Sequence, residues 1–377
     1  MLLAHISDLH LGKSLHNFSL IEDQKFILDE ILDILKKKKV DVLMIAGDVY
    51  DKNIPPEAGI KVFGNFLKGL VESKIKVLII SGNHDSAERL TFGGQFMNEK
   101  GIYFSKVYDG NIEPVVFEDE EGPVNFYLLP FIKPQTVQHY FEDEEIKSYE
   151  DAVKSALNHI NINKTERNVI VSHQNIQNAE RCESEEIVIG MLDAVSDEVF
   201  KDFDYAALGH IHKNQKIGKH NVVYSGTPLK YSVSELNHDK VMPLISLGKK
   251  GEIEIENVPL VPARDLRQIR GTLDQIMTMS KNDPNCMEDF IDVILTDEDE
   301  VMNAMATLRS VYPNVLKITY DNKATRAFEN VENFSNAREK NPLEVFEAFY
   351  LSRRGQEMSL EQKEYIQSAI DSIWGEN

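Results

Sequence analysis

One layout occurs three times between residues 2 and 90, and it restricts the fold more than any other pattern in the chain. An apolar run ends in a polar loop, and a helix-like pattern follows. The runs cover residues 2–6, 40–46 and 75–80. They end in Ser7-Asp8-Leu9-His10, in Gly47-Asp48 and in Ser81-Gly82-Asn83-His84-Asp85. Short β-branched runs separated by helices predict βαβ units and a largely buried sheet, an α/β architecture. The first helix is well marked. Ile21, Leu28, Ile31, Leu32 and Leu35 recur at helical spacing, and Lys36 to Lys39 close it at the negative end of its dipole. That lysine run reads as a solvated helix terminus and not as a grip on DNA.

The middle of the chain predicts more strands, over 115–117, 124–129, 169–172, 205–208, 222–225 and 241–247, with a helix over 149–161. The acidic stretches 118–121 and 142–145 read as surface loops. Pro259 and Pro262 interrupt regular structure after a strand-like 253–258, so a first domain is expected over 1–262. A small domain over 263–323 follows, with strands at 291–295 and 315–320 and a helix at 300–311. A polar linker over 324–341 leads to a segment, 342–377, that reads as two helices at 343–351 and 360–374.

Composition sets the outer limits. Lys and Arg total 41 against 62 Asp and Glu, a net charge of −21, which argues against a basic coat for gripping nucleic acid. It leaves nucleic acid open as a substrate, because bound divalent cations attract phosphate locally inside an acidic protein. Cys182 and Cys286 are the only cysteines, which excludes a disulfide framework or a multi-cysteine zinc site. No apolar stretch approaches the ~18 residues of a membrane span, and residues 1–8 do not read as a signal peptide. A cytoplasmic protein is expected.

The loops collect an unusual set of donors: Asp8 and His10, Asp48, Asn83 and His84, His173 after an apolar run, and His210 with His212 in Gly-His-Ile-His. Each lies at or just beyond the end of an apolar strand, the edge where open α/β sheets bind ligands. Two-residue spacing predicts His210 and His212 on one face of an extended segment, and Asp8 and His10 likewise. Mixed carboxylate, imidazole and amide donors suit Mn, Fe, Zn or similar ions. Leaving His84 aside, the seven groups exceed the needs of one tetrahedral ion. They suffice for two if a carboxylate bridges, with ions about 3.5–4 Å apart as in phosphate-ester hydrolysis. Two divalent ions would outweigh the carboxylates of Asp8 and Asp48 and stay positive toward a phosphodiester. Each motif alone has a plainer reading, as a core hydrogen bond, a helix N-cap loop or a tight turn. The order and strand-end placement of all five together carry the metal reading. His5, His16, His139, His159, His220 and His238 lie outside these loops and read as structural or exposed.

This ordered set resembles the calcineurin-like metallophosphoesterase superfamily. The stretches Ile6 to Lys13, Gly47 to Asp51, Ser81 to Leu90, Phe203 to His212 and Tyr224 to Leu229 are similar in particular to its SbcD family of nuclease subunits. The resemblance implies a four-layer sandwich of two mixed sheets flanked by helices, followed by a small α+β DNA-capping domain and C-terminal helices. It implies two divalent ions, with manganese the usual metal. Asp8, His10, Asp48 and His212 would hold one; Asp48, Asn83, His173 and His210 would hold the other, with Asp48 bridging. His84 would face the scissile phosphate without ligating, and Asp51 and Asp85 would orient the loops. Lys13, Lys52, Arg89, Lys213 and Lys230 follow these motifs closely and could form a basic rim for DNA phosphates.

Phe346, Phe349 and Tyr350 make one apolar stripe in the C-terminal helices, and Ile366, Ile370, Ile373 and Trp374 make another. The resemblance implies that they dock on an SbcC-type ATPase. It also implies a homodimer through helices near 55–71 and 87–100. The function expected is a manganese-dependent DNA exonuclease and endonuclease acting at ends and hairpins in repair and recombination. The competing readings are a phosphoesterase acting on a nucleotide or phosphoprotein, and a non-catalytic scaffold that keeps the fold.

Overall fold

The computed structural model describes residues 1–185, 194–299, 301–323, 325, 341–354 and 357–374. The chain forms two compact units that divide between Arg264 and Asp265.

Two six-stranded sheets build the first unit. In one, β1 (Leu2–Ile6), β4 (Val42–Ala46), β5 (Lys76–Ile80) and β6 (Ile102–Phe104) run parallel. β13 (Val241–Leu247) and β14 (Ile253–Pro259) join them antiparallel on the β1 side. In the other, β8 (Gly122–Leu129), β9 (Arg167–His173), β10 (Tyr205–Gly209) and β12 (Val222–Tyr224) run parallel. The edges of that sheet are antiparallel: β7 (Val115–Asp119) beside β8 and β11 (Gln215–Ile217) beside β12. A two-residue hairpin, β2 (Ser14–Leu15) with β3 (Phe18–Ser19), stands apart.

The period-two alternation of buried strands divides their side chains between two layers of core. Leu3, Met44, Leu78 and Ile80 from one sheet meet Phe126, Val169, Val171 and Ala207 from the other. Helix α1 (Ile21–Lys38) buries Ile27, Leu28, Ile31 and Leu35, and α2 (Glu57–Glu72) buries Phe63, Phe66, Leu67 and Leu70. Two single-turn helices, α3 (Ala87–Leu90) and α4 (Gly94–Met97), lie between β5 and β6. The opposite face of the second sheet packs Ile170, Leu208 and Tyr224 with Val137, Val153 and Ala156 from α5 (Pro134–Tyr140) and α6 (Tyr149–Asn158). Helix, sheet, sheet and helix make the four layers. Arg264 closes the unit by clasping the Asp23 carboxylate of α1.

In the second unit β15 (Leu266–Gly271), β16 (Phe290–Leu295) and β17 (Val315–Tyr320) form a parallel sheet. Its core joins Ile291, Val293, Leu295 and Val315 to Ile276 of α7 (Leu273–Met279) and Leu308 of α8 (Ala304–Arg309). The C-terminal helices are Pro342–Arg354 and Leu360–Trp374. No helix among the described residues is long and apolar enough to cross a membrane.

Several expectations need correction. The helix expected over 149–161 stops at Asn158, where the His159 ring turns back to donate to the Ser155 carbonyl. The helix expected over 300–311 is Ala304–Arg309, entered through Asn303 at φ 56°; residue 300 lies outside the described residues. Ser225 leaves the strand expected over 222–225 and bonds to the Ser7 hydroxyl at 2.8 Å. The acidic stretch 118–121 is not all loop. Asp119 ends β7 and pairs with Arg167 through two hydrogen bonds, which fix β7 to β9. Strand β15 and helix α7 were not anticipated, although α7 carries a reciprocal Thr272–Gln275 capping box that the sequence spells out. The 324–341 linker lies almost wholly outside the described residues.

Candidate metal centre

Strands β1, β4, β5, β9 and β10 deliver their C-terminal ends to one edge of the sandwich, and the donor loops meet there. Extended backbone brings in His173, the last residue of β9, but not the others. Asp8, His10, Asp48 and His210 all take positive φ, at 52°, 43°, 49° and 101°, a conformation that costs free energy for residues with a Cβ and that clusters at functional sites. The chain therefore kinks just after β1, β4 and β10. Side chains two residues apart diverge, which corrects the expectation of shared faces. His212 turns its Nε2 to within 3.3 Å of His10 Nε2, whereas His210 turns its Nδ1 to Asn83 Oδ1 at 3.0 Å.

The donors fall into overlapping groups whose ligand atoms lie within 4.8 Å of one another: Asp8, His10 and His212; Asp8, Asp48 and His173; His10, Asp48 and His84. His173 Nε2 stands 3.3 Å from Asp48 Oδ2 and 3.0 Å from Asn83 Oδ1. Asp8 and Asp48 each belong to two of these groups, whereas His210 and Asn83 belong to none and join through their own contact. His84 is held by its backbone N–H, which donates to Asp48 Oδ1 at 2.8 Å, and by its Nδ1, 3.1 Å from the Asp51 carbonyl. Asp8, His10, Asp48, His173 and His212 are buried, while Asn83, His84 and His210 are half-buried. The centre consequently opens on the side of those three residues.

The loops hold this geometry through a built surround. The Asp85 carboxylate accepts the backbone N–H of Val49, Tyr50 and Gly82 and so ties the β4 and β5 loops together. Asp51 accepts from Lys13 at 2.9 Å and lies 3.7 Å from His10 Nδ1. Asp8 accepts the His210 backbone N–H and the Ser7 hydroxyl. His173 Nδ1 donates to the Ala46 carbonyl at 2.8 Å, which directs Nε2 inward. Glycine is required where backbones crowd the donors. A Cβ on Gly82 would stand 2.1 Å from Asp48 Oδ1, and one on Gly209 would stand 2.0 Å from the Ala46 carbonyl oxygen.

Sequence reasoning missed the group behind His212. Glu235 is fully buried and reaches His212 Nδ1 at 3.4 Å, Ser184 Oγ at 2.7 Å, Thr227 Oγ1 at 3.1 Å and the Lys240 ammonium at 2.6 Å. Glu185 accepts the His212 backbone N–H at 2.8 Å. Nothing local marks Glu235; it follows Ser232 in an ordinary capped turn.

The electrostatics set two buried carboxylates against two protonated imidazoles. Burial pushes the Asp8 carboxyl up to about 6, and it does the same to Asp85, again to about 6. Burial opposes ionisation of Asp48 too, but His173 and His10 outweigh it and hold Asp48 well below the carboxylate range. Burial lowers His10 well below its ordinary value and His210 to about 3, so both present neutral imidazoles. His173 and His212 go the other way despite burial. The Asp48 and Asp8 carboxylates raise His173 to about 9, and hydrogen bonds to Cys182 and Glu235 raise His212 to about 10.

The donor set fits a pair of divalent cations. The partners of the two buried carboxylates are imidazoles, backbone amides and a hydroxyl, with no lysine or arginine paired to either among the described residues. Two imidazole nitrogens, His10 Nε2 and His212 Nε2, face each other, and His10 Nδ1 is buried without a hydrogen-bond partner. Among the rim cations, Lys13 is paired with Asp51 and Lys213 with Glu180, Arg89 donates to the Asn53 carbonyl at 3.1 Å, Lys52 is exposed and Lys230 is half-buried.

Residues 1–214 match the calcineurin-like phosphoesterase family, and residues 262–354 match the type 5 capsule protein repressor C-terminal domain. The SbcD component of the SbcCD nuclease of Staphylococcus epidermidis is 30% identical over 379 residues, covering 99% of this chain and 99% of that protein. Its counterpart from Staphylococcus saprophyticus is 30% identical over 380 residues, covering 99% of this chain and 98% of that protein. Among solved structures, a dimetal phosphatase from Danio rerio aligns over 69% of this chain and 96% of its own, at 12% identity and a TM-score of 0.42.

Proposed function

The chain belongs to the calcineurin-like phosphoesterase family, among the relatives of the SbcD component of SbcCD nucleases, and on that premise we propose that it is a DNA nuclease working with an ATPase partner. Family membership makes it a metal-dependent phosphodiesterase. The finer reading is a manganese-dependent exonuclease and endonuclease in the cytoplasm, cutting DNA at ends and hairpins in repair and recombination. The observation that carries it is the convergence of Asp8, His10, Asp48, His173 and His212 in overlapping donor groups, with Asn83 3.0 Å from His173 Nε2 and from His210 Nδ1.

Asp8, His10, Asp48 and His212 would hold one cation, and Asp48, Asn83, His173 and His210 the other. Bound there, two divalent ions lower the pKa of a water toward ~7 and neutralise charge gathering on the phosphoryl group. The chain's own part is orientation and proton handling. Asp85 and Asp51 keep the donor loops in register. Ser184 Oγ, 2.8 Å from His212 Nδ1 and donating to Glu235, would fix the His212 tautomer, with the Glu235 carboxylate 3.4 Å behind it. His84 stands on the half-buried side, within reach of a phosphodiester lying over the centre, and would stabilise the leaving oxygen. Lys52 and Arg89 would contact backbone phosphates; Lys13 and Lys213, already paired with carboxylates, add less positive field.

The second unit would act as the DNA-capping domain over 263–323, and 342–377 as the ATPase-docking segment. Phe346 and Phe349 are exposed, with ring centroids 6.2 Å apart, which suits a docking face. Tyr350, Ile366 and Ile370 are half-buried, and the side chains of Ile373 and Trp374 lie outside the described residues. Exposed Phe92 and Phe96, at 88% and 84%, support a homodimer through the 55–71 and 87–100 helices.

The test is digestion of linear duplex DNA with manganese, with and without the ATPase, beside a small aryl phosphodiester. DNA cleavage that rises with the partner supports the reading. Turnover of the small ester alone, with intact DNA, overturns it.

A further inference from the structure

The loop that carries Asp8 and His10 is strained along its length. Asp8, His10 and Gly12 take φ of 52°, 43° and 94°, and a residue with a Cβ stays in that state only where its surroundings offset the cost. One side of the loop is held by the loop after β4. Asp8, His10 and Leu11 donate their backbone N–H groups to the carbonyls of Gly47, Asp48 and Val49 at 3.0, 3.0 and 2.9 Å. The carbonyls of Leu9 and His10 are met from elsewhere, and buried carbonyls need partners.

One side chain meets both. Gln24 lies near the start of α1 and is 1% exposed. Its Nε2 donates to the His10 carbonyl at 2.7 Å and to the Leu9 carbonyl at 3.2 Å. Its Oε1 accepts the Gly12 backbone N–H at 2.9 Å. The same Nε2 stands 3.2 Å from the Tyr231 hydroxyl, which itself donates to the Leu9 carbonyl. The Tyr231 ring stands edge-on to His10 at 5.7 Å and to His212 at 6.4 Å. Gln24 therefore grips the backbone on both sides of the His10 ring, and it uses donor and acceptor at once. Only an amide offers both from one planar group. The grip is rooted in a helix whose Ile27, Leu28, Ile31 and Leu35 are buried, so it does not depend on the loop it holds.

We infer that Gln24, braced by Tyr231, is a positioning residue that aims the His10 imidazole and so sets the affinity of the cation that His10 would share with Asp8, Asp48 and His212. The inference rests on the two-cation reading above and deepens it. The cation of Asn83, His173 and His210 takes nothing from His10, so it should feel the loss of Gln24 far less.

Gln24→Met keeps the length of the side chain and removes both polar atoms, and Tyr231→Phe removes only the hydroxyl. Leu28→Ala, on the buried face of the same helix, reports a general loss of stability. Manganese would be titrated calorimetrically into the cation-free full-length parent and the three variants, and amide hydrogen exchange would be followed without metal. Gln24→Met should weaken one of two manganese sites about 10- to 100-fold. Tyr231→Phe should weaken the same site by a smaller factor, and Leu28→Ala should lower the melting temperature without changing either site. In cation-free Gln24→Met the His10 and Leu11 amides should lose about tenfold or more in protection, while those of Val49 and Tyr50, held by Asp85, keep theirs. Equal weakening of both sites, or an equal fall in Leu28→Ala, would make Gln24 a general support of the fold and overturn the inference. Unchanged exchange at Leu11 would overturn it too. Should Gln24→Met not fold, Tyr231→Phe decides by the same readouts. No manganese binding by the parent would overturn the two-cation reading instead, and exchange at Leu11 would still decide whether Gln24 holds the His10 loop.

Discussion

His10 and His212 are 202 residues apart in the chain, and their Nε2 atoms lie 3.3 Å apart. Two imidazole nitrogens at that distance have no stable arrangement as neutral acceptors. In the cation-free protein the protonated His212 and neutral His10 share a proton, and a cation flanked by the Asp8 and Asp48 carboxylates would replace it.

Asp48, like Asp8, has a carboxylate common to two donor groups and should be essential. Asp48→Ala should lose both metal equivalents and lower phosphodiester cleavage about a thousandfold or more, with far-ultraviolet circular dichroism unchanged. Metal content measured after dialysis, beside the rate, checks this; near-parental manganese-dependent activity in the variant would remove Asp48 from the centre.

His84 lies within reach of His10 and Asp48, so it could be a ligand or a group acting on substrate. His84→Ala should keep both ions while kcat falls about 10²- to 10⁴-fold, the range of a lost proton-transfer group. Loss of one metal equivalent would identify His84 as a ligand.

Glu235 should act through His212. Glu235→Gln keeps the shape but leaves the buried Lys240 ammonium without its carboxylate. Manganese affinity should fall about 10- to 100-fold, and the melting temperature should fall with it. An affinity equal to the parent, measured by calorimetry, would leave Glu235 with no part in holding the centre.

Metal loading should release protons. Without cations, His173 and His212 are held protonated up to about pH 9 and about pH 10. A raised folded-state value stabilises the cation-free protein fully below about 6.5, and that stability is lost as pH rises through those values. Cation binding needs the same imidazoles neutral, so at pH 7–8 it should expel about two protons, and affinity should rise with pH. Titration calorimetry in buffers of different ionisation enthalpy reads the number directly; a value of zero would contradict the charge states.

Deleting residues 342–377 should abolish binding to the ATPase partner and spare metal binding. Co-purification and metal analysis of the shortened chain test both halves, and retained ATPase binding would assign docking elsewhere.

The sequence alone made the buried strands and the polar residues at their ends legible. Buried parallel strands need continuous apolar runs, so β1, β4, β5, β9 and β10 stood out, and the polar residues ending them could only lie at a sheet edge. It did not determine which donors meet. Two-residue spacing suggested paired faces, but positive φ at Asp8, His10, Asp48 and His210 is a backbone state that side-chain periodicity does not encode. Tertiary packing imposes it, and so sends His210 to Asn83 and His212 to His10. Glu235 was equally out of reach, because a buried carboxylate becomes tolerable only once folding brings Lys240, Ser184 and His212 around it.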